Sequence, residues 1–133
     1  MTISTEGRTM FGNTKAYSGF AADDLQKARD FYENTLGLEV SGEGDLITLH
    51  LAGGRDTIVY AKPDFTPATY TILNFPVEDI DAAVDELTAR GVRFERYDGI
   101  DQDDRGISRG GLGPQIAWFT DPAGNIFSVI SEG

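Results

Sequence analysis

One phrase in this chain is written twice, and the repetition limits the fold more than any other feature. The first copy runs from Ala22-Asp23-Asp24-Leu25 to Leu36-Gly37-Leu38, the second from Val77-Glu78-Asp79-Ile80 to Gly91-Val92. Ala22/Val77, Leu25/Ile80, Ala28/Ala83 and Tyr32/Leu87 share an offset of 55 residues, which drops by one at Gly37/Gly91. Each copy reads as the end of a strand, a capped amphipathic helix and a glycine stop. Asp23 or Asp24 can accept hydrogen bonds from the free N–H groups of a first helical turn. Leu25, Ala28, Phe31 or Tyr32 and Leu36 fall on one stripe at helical spacing, as do Ile80, Ala83, Val84 and Leu87. Gly37 and Gly91 supply the left-handed residue at which such helices end. Two copies indicate a duplicated module rather than a solenoid, which needs three or more units.

Strand-like segments surround both helices. In the first copy residues 16–22 lead in, and 38–41, 46–51 and 57–62 follow, separated by turns at 42–45 and 52–56. In the second copy 69–75 lead in, and 93–96, 115–120 and 126–130 follow. The last two are joined by Asp121-Pro122-Ala123-Gly124-Asn125, which suits a tight turn. The expected class is α+β: two βαβββ modules forming a curved mixed sheet around a cavity, with helices on the outer face. Module one spans 14–62, a proline-containing linker 63–68 and module two 69–131, within one domain over 14–133. Residues 97–113 hold five glycines and four aspartates, and a long mobile loop is expected there, of the kind that often rims a binding site. Alternation sends Phe20, Ala22, Leu73, Phe75 and Val77 toward the helices. It sends Tyr17, Gly19, Ala21, Ile72 and Asn74 into the hollow.

Composition narrows the function. A chain of 133 residues is long enough to bury a real core. It has no cysteine, which excludes disulfides, thiolate metal sites and a cysteine nucleophile. A net charge of −11 repels phosphate backbones, so no nucleic-acid partner is expected, whereas a cationic small molecule would be favoured. The same acidity also serves solubility. No apolar run approaches the roughly 18 residues of a membrane span, so no membrane partner is expected. Residues 1–13 are polar and lack the apolar core of a signal peptide, which points to a flexible tail and a cytoplasmic protein.

At Asp24-Leu25 through Phe31-Tyr32 to Leu36-Gly37-Leu38, at Val77-Glu78-Asp79-Ile80 and at Phe119-Thr120-Asp121-Pro122-Ala123-Gly124-Asn125, the chain resembles the vicinal oxygen chelate superfamily. That superfamily includes glyoxalase I, extradiol dioxygenases and bleomycin-resistance proteins. The matching elements stand in order and cover nearly all of residues 16–130. In its metal-dependent members a divalent ion sits in the hollow on four side chains, usually His, Glu or Gln. Carried onto this sequence, those positions fall at Tyr17, near Tyr60, at Ile72 and at Ser128. None is a normal ligand for Zn, Fe, Ni or Mn: isoleucine has no donor atom, and neutral Ser and Tyr lack the charge a hard ion requires. No metal or cofactor is expected. The resemblance also implies a pocket at a two-module interface, within one chain or between two, and hence a homodimer.

Other residues carry competing readings. His50 would face the hollow beside Leu46 and Thr48, as a structural residue or as one that binds a ligand or moves a proton. Tyr17 and Tyr60 are either core or an aromatic pocket lining with hydroxyl donors. Asn74 as a buried amide would need partners that a ligand could supply. Trp118 is a stacking platform or core, and Ser128 a filler, since a nucleophilic serine needs a base beside it. The leading expectation is a metal-independent binder of a small aromatic or cationic compound. It would use Tyr17, His50, Tyr60, Ile72, Asn74, Trp118 and Ser128 as ligand-binding residues, with no catalytic residue assigned. The alternatives are a metal-dependent or metal-free lyase, isomerase or dioxygenase, and a structural or regulatory subunit with a filled cavity.

Overall fold

The computed structural model of the chain describes residues 10–111 and 113–132. The expected tail falls mostly on residues 1–9, outside the described residues; residues 10–13 form a turn in which Thr14 donates from N to the Phe11 carbonyl at 3.3 Å. Element order is β1 (Ser18–Ala22), α1 (Leu25–Asp30), a π-helical turn (Phe31–Thr35), β2 (Glu39–Glu43), β3 (Leu46–His50) and β4 (Thr57–Ala61). Then come β5 (Thr71–Val77), α2 (Ile80–Ala89), β6 (Ile116–Thr120) and β7 (Ile126–Ser131). Among the described residues no helix is long and apolar enough to cross a membrane.

Both helices start and stop as the duplicated phrase predicts. Asp24 accepts from Lys27 N at 3.1 Å, and Asp79 accepts from Ala82 N at 3.0 Å. Each bond satisfies an N–H that the helix itself leaves free. Gly37 and Gly91 take φ of 71° and 93°, a region costly for any residue with a Cβ. The π turn is unforeseen: the Leu36 N–H reaches back five residues to the Phe31 carbonyl at 3.1 Å. It lets Phe31 and Tyr32 both turn inward, where a regular helix would favour one.

The class is α+β with two modules, but the sheets do not merge into one. Sheet A runs β1-β4-β3-β2 and sheet B β5-β7-β6. Residues 93–96, expected as a strand, take no regular secondary structure and join no ladder. Glu95 N donates to the Trp118 carbonyl at 2.7 Å, and Phe94 turns into the core. Pro76 lies within β5, which is tolerated because β5 is an edge strand.

The helix-facing sides of both sheets meet in one core. Phe20 of β1 touches Phe127 of β7 with ring centroids 5.9 Å apart, and Tyr32 stacks on Phe127 at 6.1 Å. Ile47, Leu49, Val59, Val84 and Phe119 complete it, each essentially without solvent contact. Burying each such side chain contributes about 1.5–3 kcal/mol. The opposite face of each sheet is therefore left open within the single chain.

The 97–113 segment, expected to be mobile, is anchored where it is described. Ile107 is fully buried, and Gln102 donates to the carbonyls of Glu95 and Gly106 at 2.9 and 2.8 Å. Ser108 pairs with Ile116 through two backbone bonds. Arg105 and Arg109 ion-pair with Asp81 on α2, Arg105 also with Asp85 and Arg109 with Asp103.

Candidate functional site

Strand register fixes what the open face of sheet A presents. Ala21, Tyr60, Leu46 and Glu43 form one cross-strand row, and Gly19, Ile58, Thr48 and Ser41 the next. His50 lies at the far end of β3, opposite Glu39. Against the Ala21–Tyr60 end the linker folds back, and an open groove of about 580 Å³ forms between them. Gly19, Ala21, Tyr60, Pro67, Tyr70 and Ile72 are among its walls. A smaller pocket of about 210 Å³ shares Thr69 and Tyr70 with the groove and adds Tyr97, Ile100 and Trp118. The two adjoin at Thr69 and Tyr70, with aromatic side chains in both linings, and together make up the candidate recess.

Buried polar contacts hold this recess in place. Asp121 is buried and collects four hydrogen bonds. Ala123 N and Asn125 N donate to Oδ1 at 3.0 and 2.9 Å, while the Tyr32 hydroxyl and Asn125 Nδ2 donate to Oδ2 at 2.6 and 3.0 Å. Asn125 Nδ2 also donates to the Ala21 carbonyl at 2.9 Å, so the tight turn of module two grips the end of β1 beside the groove. Burial first, and then the Asp121 charge and hydrogen bond, push the Tyr32 phenol well above its ordinary value. Tyr32 therefore stays a neutral donor at any working pH.

In the smaller pocket Tyr97 packs edge-on against Trp118 with centroids 5.4 Å apart. Its hydroxyl is buried and, among the described residues, has no hydrogen-bond partner. Burial, with a smaller contribution from the Glu95 charge, pushes this phenol above its usual value, so it is a donor seeking an acceptor. Lys62 is the charged residue on the groove wall, and its ammonium is paired with Asp64 at 2.9 Å. Among the described residues no carboxylate lines either part of the recess. The overall acidity of the chain therefore does not reach into the recess as a direct countercharge.

The residues singled out in the sequence divide into separate places. Tyr60 and Ile72 line the groove, Ile72 beside an irregularity in the β5–β7 pairing between Thr71 and Leu73. Trp118 lines the adjoining pocket rather than the core. Tyr17 stands before β1 and is 69% exposed, away from the groove wall. Asn74 is exposed rather than buried. Its Oδ1 accepts from the buried Ser128 hydroxyl at 2.6 Å, so the chain itself supplies the expected partner. His50 contacts Ser41 and Asp56 instead of the groove. Tyr70 and Tyr97 were not singled out in the sequence. Tyr70 lies two residues before Ile72 in the expected 69–75 strand, so the same alternation points it to the hollow, whereas Tyr97 opens the glycine-rich segment, where alternation carries no signal.

The four positions that would hold a divalent ion do not fit one. Tyr17 is remote from Tyr60 along the sheet, Ile72 offers no donor, and Ser128 is committed to Asn74. Among the described residues no three His, Asp or Glu side chains converge as a metal-binding set.

The profile of the glyoxalase/bleomycin resistance protein/dioxygenase superfamily matches residues 16–129. The chain belongs to this superfamily. Solved structures of the superfamily's fold align over almost the full length. The fosfomycin resistance protein FosX from Listeria monocytogenes is 15% identical, with 91% of this chain and 94% of that one covered and a TM-score of 0.69. TnmS3, an antibiotic-binding protein from Streptomyces sp. CB03234, is 20% identical, with 91% and 98% covered and a TM-score of 0.66. Lactoylglutathione lyase from Agrobacterium tumefaciens is 24% identical, with 90% and 96% covered and a TM-score of 0.60. At these identities the likeness is one of fold. No curated protein sequence matches the chain.

Proposed function

We propose that this superfamily member binds a small aromatic or cationic compound without a metal, in the recess between sheet A and the linker. The observation that carries this reading is the Tyr97 hydroxyl, buried and without a partner among the described residues, on a side chain that packs against Trp118 and lines the pocket adjoining the groove. A buried donor without an acceptor costs about 1–3 kcal/mol, which a ligand carbonyl or ring nitrogen would relieve. Tyr60, Tyr70 and Trp118 offer aromatic faces, which suit planar rings and attract cations. At about 580 Å³ the groove exceeds the roughly 300 Å³ at which ligand sites begin, which disfavours a filled, purely structural cavity. The existence of an antibiotic-binding protein and a fosfomycin resistance protein on the same fold agrees with a sequestering role.

A second copy of the chain completes the site in this reading. Both sheets leave open faces, and β1 and β5 are free edges. Tyr17, Leu46 and Tyr60 are apolar side chains left exposed on or beside the open side of sheet A. A cytoplasmic homodimer with facing sheets would cover them.

Calorimetric titration of chelator-treated protein with bleomycin and a panel of planar aromatic amines tests the proposal. Saturable binding of at least one compound is expected, weakened several-fold by Tyr60→Ala through loss of about 1 kcal/mol of ring contact. Elemental analysis finding about one Zn, Fe, Ni or Mn per purified chain, with binding lost on chelation, would overturn it.

A further inference from the structure

Away from the recess, at the other end of sheet A, three side chains are arranged as a nucleophile, its base and an orienting acid. Ser41 on β2 and His50 on β3 share the open face. Ser41 Oγ lies 2.6 Å from His50 Nε2. On the opposite side of the ring, Nδ1 is 3.3 Å from Asp56 Oδ1 in the turn leading to β4. Asp56 stands on the Nδ1 side at ion-pair distance rather than in a hydrogen bond, and its negative charge there favours the tautomer that carries the proton on Nδ1. Nε2 is then the free acceptor, turned toward the Ser41 hydroxyl. This is the order of roles that activates a serine, and it is recognised by geometry rather than by sequence position.

Neighbouring groups fix the nucleophile. Arg29 of α1 donates to the Gly42 carbonyl at 2.6 Å, bracing the outer edge of β2 next to Ser41. Gly42 takes φ of 93°, and a Cβ there would meet the Leu46 carbonyl oxygen at 2.9 Å, so the bend after Ser41 needs glycine. Thr48, Ile58 and Leu46 lie beside Ser41 on the same face.

We infer that Ser41, His50 and Asp56 form an acyl-transfer site for activated esters of small acids. His50 Nε2 takes the proton as Ser41 Oγ adds to the ester carbonyl. The C–O bond to the leaving group breaks, the same proton passes to the departing oxygen, and the acyl group remains on Ser41. Water then adds with His50 again as base, releasing the acid and restoring the serine. His50 and Asp56 side chains are 33% and 46% exposed, so the site is open to solvent. Aryl esters are the matching substrates, because a good leaving group asks least of the surroundings at the carbonyl oxygen. The site stands apart from the proposed ligand recess and does not depend on it.

Purified full-length chain mixed with p-nitrophenyl acetate tests this directly. A burst of p-nitrophenol is expected, with acetate located on the Ser41 peptide by mass spectrometry. His50→Ala and His50→Gln should each slow acylation by about 100-fold, the size of a general-base contribution. Asp56→Asn should slow it markedly while Asp56→Glu restores most of the rate, a pattern that a merely structural aspartate would not give. Circular dichroism confirms that these surface variants fold. Absence of a burst, acetylation confined to lysines, or Ser41 acetylated equally fast in the folded His50 variants would overturn the assignment.

Discussion

Tyr32 shows how much a single side chain can join. Its ring lies in the shared core, and its hydroxyl reaches Asp121, 89 residues away. Tyr32→Phe keeps the ring and leaves Asp121 with three of its four donors. A loss of about 1–3 kcal/mol is expected from the urea midpoint, with little change in slope. Tyr97 predicts the reverse trade. Since its hydroxyl has no partner among the described residues, Tyr97→Phe should leave stability unchanged or raise it by up to about 1 kcal/mol, while weakening binding of the aromatic ligand. Equal binding by the variant would remove Tyr97 from the site. Alternation in the sequence pointed Ile72 to the hollow, and the resemblance pointed to Tyr60; both line the groove. Neither could show that Tyr17 stands clear of the groove, that Ser128 is tied to Asn74, or that Asp56 meets His50, because each depends on where a turn or bulge puts the next residue.

At the scale of elements, the caps were legible because they are local. Asp24→Ala and Asp79→Ala should each cost about 1 kcal/mol in thermal or urea unfolding, since each removes a partner from a helix N-terminus. The 97–113 segment was illegible for the opposite reason. Its glycines and aspartates look like loop composition, yet its anchors are Ile107, a lone apolar residue, and arginines that reach back to α2. The missing strand at 93–96 has a similar origin, since Phe94 gains more from the core than the backbone gains from a ladder.

Hydrogen bonding by Arg109, with the charges of both arginines, holds the Asp81 carboxyl below the usual range. At Asp103 burial acts upward, but the N–H groups of Ile107 and Arg105 and the Arg109 side chain outweigh it. With folded values lowered, this support is complete above about pH 4 and is lost as pH falls through the lower folded values. The pairs are solvent-screened, so the effect belongs to the segment and not to global stability. Protection of the Ile107 amide against hydrogen exchange should therefore fall on acidification below about pH 4, before that of the core strands. Simultaneous loss in both would contradict a local anchor.

For the whole molecule, the duplicated phrase revealed the class and the two modules, and it placed the helix-facing residues correctly. It did not reveal that the two sheets would stay separate, since both are satisfied by packing Phe20, Tyr32, Phe119 and Phe127 into one core without joining edges. If two copies face each other, a net charge of −11 on each opposes association. Sedimentation should then show the dimer strengthening as salt rises from low to physiological ionic strength. A monomer at all salt concentrations would mean that one chain's recess works alone. The sharpest probe is Trp118, the chain's one tryptophan, which borders the smaller pocket. Its emission should be titrated with planar aromatic amines in the presence of a chelator and again with added divalent metal. Metal-free binding predicts saturable quenching of the same strength in both; quenching that appears only when metal is added would contradict it.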